Sequence, residues 1–405
     1  MRILGIETSC DESAVCLIDA QGGFADGFKF SILGNALISQ TEIHAKYGGV
    51  FPNLAKREHA KNLVPVLERA LYEAGALNEK PSDISHYSEK LQKILERESE
   101  LYERLSVFLQ KYGLPEIDAI AVTVGPGLEP SLWVGINFAR ALALVWNMPI
   151  VAVNHMEGHC VLSMMSISGF RKSRYRDFVN PDIKGSVGKF EFPVLALLIS
   201  GGHTELVLSK EFQKYEILGA TRDDAVGEAY DKVARLMGLP YPGGPEISRL
   251  ADKARTSYEM SSHRITLPRP MLHDDNLDFS FAGLKTAVRR IVEANCPLTD
   301  EMKLDIALEF EEAVADVLVG KTIKAIDEYS AKTLVVGGGV SANSNIRTRL
   351  AEALTEAGLP PPLVTPPALS TDNALMIALV GYFRAQNRDF VNPDTLKADG
   401  NLRLI

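Results

Sequence analysis

Ile3-Leu4-Gly5-Ile6 runs into Glu7-Thr8-Ser9-Cys10-Asp11-Glu12-Ser13 and then into Ala14-Val15-Cys16-Leu17-Ile18. Two apolar runs joined by a turn of hydroxyls and acids predict a pair of strands. Residues 194–208 repeat the plan, with Val194-Leu195-Ala196-Leu197-Leu198-Ile199 and Leu206-Val207-Leu208 flanking Ser200-Gly201-Gly202-His203-Thr204. Glycines there let backbone N–H groups come close to an anion. A lone Ser-Gly-Gly is only a hairpin signal, and its recurrence with a matching partner makes it informative.

The correspondence extends outward from both hairpins. Ala119–Val124 leads through Gly125-Pro126-Gly127 to a helix expected over about 131–144, and Thr333–Val336 leads through Gly337-Gly338-Gly339 to one over about 343–354. The apolar run 149–153 then leads to His155, and Pro362-Leu363-Val364-Thr365 leads toward Asp372. A duplicated order of elements predicts two similar α/β domains facing one another across a cleft. We expect the first to span 1–158 with 374–405, carrying a charged helical insertion at about 78–112. The second is expected to span 159–373, with a basic insertion at about 165–190.

His155-Met156-Glu157-Gly158-His159 places two imidazoles four residues apart on one helix face, where they can converge on a metal. Asp372, in Ser370-Thr371-Asp372-Asn373, is the best third ligand, with Ser370 or Thr371 placed to cap the helix that follows. His–His–Asp with an open position suits Zn²⁺ or Fe²⁺ as a Lewis acid. The duplication sets the histidines and Asp372 on opposite walls of the cleft, with the metal between the domains.

Composition bounds the function classes. The 405 residues, 46% hydrophobic and 23% charged, are those of an ordinary globular protein, with no apolar run long enough for a membrane span. The start of the chain reads directly as a strand, so the expected compartment is the cytoplasm. Four cysteines without CxxC spacing argue against a cysteine zinc site. A net charge of −9 makes the whole chain a poor polyanion binder, so any nucleic-acid contact must be local. Arg171, Lys172, Arg174, Arg176, Lys184 and Lys189 form the candidate patch. The heptapeptide Arg-Asp-Phe-Val-Asn-Pro-Asp, at 176–182 and again at 388–394, has no place in the duplication.

A helix is expected over about 53–74, and His44 and His59 read as structural. Residues 221–238 read as a helix with Asp224, Glu228 and Asp231 on one face. There a carboxylate could hold ribose hydroxyls while a Gly243-Gly244 turn passes close to the sugar.

Leu4–Glu12, Gly125–Leu128, His155–His159, Ser200–Thr204, Tyr241–Pro245, Asp278–Thr286, Gly338–Asn343 and Thr371–Asn373 follow one another along nearly the whole chain. In that order they resemble the tRNA N6-adenosine threonylcarbamoyltransferase family, within the actin-like/Hsp70/sugar-kinase superfamily of RNase H-like folds. The resemblance implies a divalent metal, iron or zinc, on His155, His159 and Asp372. It implies nucleotide and substrate contacts at Leu198, Ile199, Ser200, Gly201, Gly202, Asp231, Gly244 and Asn343. Leu198 stands where the archaeal and eukaryotic branch has a tyrosine, which points to the bacterial or organellar branch.

The implied reaction carries threonylcarbamoyl from threonylcarbamoyl-AMP to N6 of adenosine 37, in tRNAs reading codons that begin with adenine, and releases AMP. The amine is a weak nucleophile, so the site must supply position, carbonyl polarisation and a proton acceptor, for which we expect Asp11 or Glu12. Implied partners are tRNA, a paralogous TsaB-type protein and a TsaE-type small ATPase, or a second copy in a homodimer. The rivals are an ATPase or kinase of the same superfamily and a metalloprotease. The latter requires His-Glu-x-x-His, whereas Met156 follows the first histidine here.

Overall fold

Both predicted hairpins form, and each opens a sheet of the same plan. The computed structural model describes residues 1–168, 183–257 and 265–404. The first sheet contains β1 (Arg2–Glu7), β2 (Glu12–Gln21), β3 (Lys29–Ser39), β4 (Ala119–Gly125), β5 (Ile150–Asn154), β6 (Met165–Ser168) and β7 (Lys184–Val187). Its order is β5-β4-β1-β2-β3-β7-β6. The second contains β8 (Val194–Ile199), β9 (Thr204–Glu211), β10 (Lys214–Ala220), β11 (Thr333–Gly337) and β12 (Leu363–Val364), in the order β10-β9-β8-β11-β12.

β1 pairs antiparallel with β2 and parallel with β4, and β4 parallel with β5. β8, β9, β11 and β12 repeat those relations. The fold is therefore the duplicated actin-like α/β plan. Each hairpin gains a third antiparallel strand, β3 or β10, beyond the two expected. All seven residues of β4 are buried, as for a parallel strand covered on both faces.

The chain divides into two compact units. One comprises Met1–Gln40, Val50–Lys189 and Asp372–Leu404, and the other Thr41–Gly49 and Phe190–Thr371. The boundary expected at residue 159 falls at Phe190 instead. The reason is pairing: β6 and β7 extend the first sheet from β3, and the helix His155–Ser163 packs on the helix Ala374–Gln386.

The helix Ala374–Gln386 lies against β1 and β4. Gly5 permits this, because a Cβ there would stand 2.5 Å from the Ala374 carbonyl oxygen and 2.8 Å from the Ala378 nitrogen. The charged insertion forms the helices Ser88–Ile94 and Ser99–Lys111, whose Leu91, Leu101, Leu105 and Phe108 enter the first unit's core. The expected 53–74 helix runs Pro52–Glu73.

The second unit corrects two local expectations. The helix expected over 221–238 begins at Val226, so Asp224 lies before it and pairs with Lys232 and Lys285. Gly243-Gly244 opens the helix Gly243–Ser257 instead of forming a turn. Of the basic stretch, residues 169–182 lie outside the described residues, as does the first copy of the repeated heptapeptide. In the second copy, Val391 N–H donates to the Ile150 carbonyl at 2.9 Å. Among the described residues no helix is long and apolar enough to cross a membrane.

Candidate functional site

His155 is the first residue of a helix that starts where β5 ends. The Asn154 side chain caps that helix, accepting from Met156 N at 2.8 Å and Glu157 N at 3.2 Å, and His159 follows one turn on. Asp372 lies just ahead of the helix Ala374–Gln386, one residue before its cap. The cap there is Asn373, accepting from Met376 N at 3.2 Å, and neither Ser370 nor Thr371 takes that role. Asp372 Oδ1 lies 3.3 Å from His155 Nε2 and 3.1 Å from His159 Nε2. The imidazoles stand edge to face with centroids 4.8 Å apart, and the three ligand atoms lie within 4.8 Å of one another.

All three residues belong to the first unit. The expectation of ligands on opposite walls is thus corrected. The helix that carries Asp372 returns to pack beside the helix of the histidines.

Behind His155 stands Glu7, which the sequence reading did not single out. Glu7 Oε2 is 3.2 Å from His155 Nδ1 and accepts from Thr123 Oγ1 at 2.6 Å, while Oε1 accepts from Ser9 N at 2.5 Å. Ser9 Oγ is also 3.2 Å from Nδ1. A carboxylate on the far nitrogen orients an imidazole and raises its basicity toward a metal. The only sequence signal was an acid at the end of an otherwise apolar strand, which must find a partner if buried.

Burial and neighbouring charge oppose one another at the centre. Burial pushes the Asp372 carboxyl up, yet His155 and His159 hold it well below its ordinary value. Burial likewise opposes ionisation of Glu7, and His155 draws it down. His155 resists burial and is raised well above its ordinary value by Asp372 and Glu7. A half-buried Asp372 shared by two buried imidazoles, one of them backed by the buried Glu7, makes a donor set that fits a divalent metal.

Asp11 is buried in the loop before β2, and its carbonyl accepts from Gln40 N at 2.9 Å. Glu12 opens β2; burial, then Asp11 and Asp372, push its carboxyl well above the ordinary range. His59 is structural: Nδ1 lies 2.8 Å from Ser13 Oγ and Nε2 3.0 Å from the Cys10 carbonyl. His44 is buried in the helix Thr41–Ala45.

The remaining expected contacts gather in the second unit. Leu198 and Ile199 are buried in β8, and beyond it Ser200 Oγ accepts from Gly202 N at 3.3 Å and His203 N at 3.1 Å. Gly201 and Gly202 are exposed, with open space where side chains would stand. Gly227 packs on this turn, since a Cβ there would lie 2.6 Å from the Ser200 carbonyl oxygen. Asp231 Oδ1 accepts from Gly243 N at 2.7 Å, and Gly244 next to it has no atom within 4 Å of a Cβ position. Asn343 caps the helix Ser344–Glu356, with Oδ1 accepting from Ile346 N at 2.9 Å.

The chain matches the family described as TsaD, tRNA N6-adenosine threonylcarbamoyltransferase, over residues 31–86, 101–170 and 180–379. It is 40% identical over 390 residues to the tRNA N6-adenosine threonylcarbamoyltransferase of Persephonella marina, covering 95% of this chain and 90% of that protein. It is 40% identical over 404 residues to that of Chromobacterium violaceum, covering 98% and 97%. A crystal structure of a ROK hexokinase from Thermus thermophilus overlaps with a TM-score of 0.38 at 15% identity, over 96% of this chain and 100% of that one, too loosely to carry an argument. Matched along nearly its whole length, the chain belongs to the tRNA N6-adenosine threonylcarbamoyltransferase family and is a transferase.

Proposed function

We propose that the protein transfers threonylcarbamoyl from threonylcarbamoyl-AMP to N6 of adenosine 37, in tRNAs reading codons that begin with adenine. The observation that carries this reading is the convergence of His155, His159 and Asp372, backed by Glu7, in a chain of this family. Fe²⁺ or Zn²⁺ held by these three residues would supply the Lewis acidity that polarises the carbamoyl carbonyl.

The chain's own residues supply the rest. Ser200, Gly201 and Gly202 offer a turn that a phosphate can approach, supported from β8 by Leu198 and Ile199. Asp231, Gly244 and Asn343 take the adenosine moiety. The N6 amine attacks the carbonyl carbon, a C–N bond forms, and AMP leaves with the electron pair of the broken C–O bond. The amine proton passes to Glu12 or Asp11, the two carboxylates at the start of β2. Our reading includes a TsaB-type paralogue and a TsaE-type ATPase, or a homodimer, as partners in the cytoplasm.

The protease rival loses its general base. Glu157, the acid within the histidine motif, is buried and accepts from Arg384 Nη2 at 2.7 Å and Nε at 3.2 Å.

The test is transfer of labelled threonine to unmodified tRNA with an adenylate-forming enzyme, threonine, bicarbonate and ATP, comparing wild type with His155→Ala, with partners added or omitted. Transfer by wild type and its loss in the variant support the reading. No transfer under any condition, with ATP still hydrolysed, would favour an ATPase.

A further inference from the structure

Glu311 lies in the middle of the helix Asp300–Tyr329 and is only 1% exposed. Its two carboxylate oxygens serve different partners. Oε2 accepts from Arg255 Nη2 at 2.6 Å. Oε1 accepts from Ser248 Oγ at 2.8 Å and from Asn343 Nδ2 at 2.6 Å, and Nδ2 also donates to Ser248 Oγ at 2.8 Å.

These contacts leave the Asn343 amide a single orientation. Turned over, it would aim its N–H₂ at the Ile346 N–H and its oxygen at a buried carboxylate. With both amide hydrogens committed, Asn343 has one group left to offer a ligand, the second lone pair of Oδ1. We propose that Glu311 is a positioning residue for nucleoside binding in the second unit: it holds Asn343 as a hydrogen-bond acceptor, so that the nucleoside is recognised through an N–H or O–H it donates. The proposal rests on the reading of Asn343 as a nucleotide contact.

The division of labour between the oxygens makes the idea separable from a purely structural role. Glu311→Gln can keep an acceptor at Oε1 for Asn343 and Ser248 while setting an N–H₂ against Arg255, which costs stability but not orientation. Glu311→Met removes the acceptor altogether and frees the Asn343 amide to turn.

The experiment measures AMP binding to the metal-loaded full chain by calorimetry, and transfer kinetics with the adenylate and the tRNA varied separately. For Glu311→Met we expect the AMP Kd and the adenylate KM to rise about tenfold, the loss of one fixed hydrogen bond. The tRNA KM and kcat at saturation should stay at wild-type values. Glu311→Gln should bind AMP within about twofold of wild type despite a lower Tm. If Glu311→Met does not fold, the pair Glu311→Met with Arg255→Met, which takes the guanidinium away from the new apolar side chain and leaves Glu312 paired with Arg349, reads the same outcomes.

Wild-type AMP affinity in the Met variant, or equal loss in the Gln and Met variants, would overturn the proposal. Asn343→Ala separates the two layers: unchanged AMP binding there removes the nucleotide-contact reading itself, whereas weakened binding there with none in Glu311→Met removes only the role of Glu311.

Discussion

Arg384 reaches from the helix behind Asp372 to Glu157, on the helix of the two histidines, with Nη2 2.7 Å from Oε2. Glu157 is fully buried and Arg384 is 31% exposed, so this ion pair ties the two ligand-bearing helices together from within. Arg384→Met leaves a buried carboxylate without its cation. Unfolding should become easier by about 3 kcal/mol. Thermal and denaturant unfolding check this, and the bound-metal content should fall in parallel as the ligands lose their spacing.

Glu7 touches His155 Nδ1 from the side away from Asp372. Glu7→Gln keeps the shape and removes the charge. Metal affinity is expected to drop about 10- to 100-fold, with transfer falling alongside it. Competition with a chelator, read by elemental analysis, tests this. Restoration of transfer at high metal concentration would show that Glu7 acts through His155.

Gly5→Ala drives a methyl group against the Ala374 carbonyl and the Ala378 nitrogen. Both are backbone atoms that cannot step aside, so the helix must shift, at about 1–3 kcal/mol. Asp372 sits just before that helix, so weaker metal retention should accompany the lower Tm. A loss of stability with intact metal binding would show that the helix end is held independently.

Asp316 bonds to Arg269 Nε at 2.8 Å and Arg349 Nη2 at 2.5 Å. Burial raises its carboxyl, but the two guanidinium groups outweigh that and hold it below its ordinary value. A depressed folded pKa contributes stability above the unfolded value of about 3.9, lost as pH falls through the folded value. Asp316→Asn should therefore cost roughly 1 kcal/mol at pH 7, with the difference from wild type vanishing in strong acid. Urea unfolding at pH 7 and at a series of pH values below about 3.9 gives the comparison, the difference shrinking steadily as pH falls.

Legibility followed locality. The hairpins at 3–18 and 194–208 were readable because each is a contiguous apolar–polar–apolar pattern. β3 was hidden because Gly34 and Asn35 interrupt it, and Gly34 is there to let the Ala70 carbonyl approach from the facing helix. His155 and His159 were readable from helical spacing, whereas Glu7 acquired meaning only when β1 set it behind His155. Asn343 stood in a recognisable motif, but its amide orientation depends on Glu311, 32 residues earlier.

The sequence by itself determined the duplicated α/β plan, the family and the identity of the three metal-ligating candidates, because these reside in local periodicity and ordered motifs. Tertiary structure alone decided that Asp372 joins the histidines within one unit, since close packing of Ala374–Gln386 on β1 draws the chain's last long helix back to its first strand. It likewise decided the charges of the centre, because a carboxylate's proton affinity depends on burial and neighbouring charge, neither of which a residue carries in its own place in the chain.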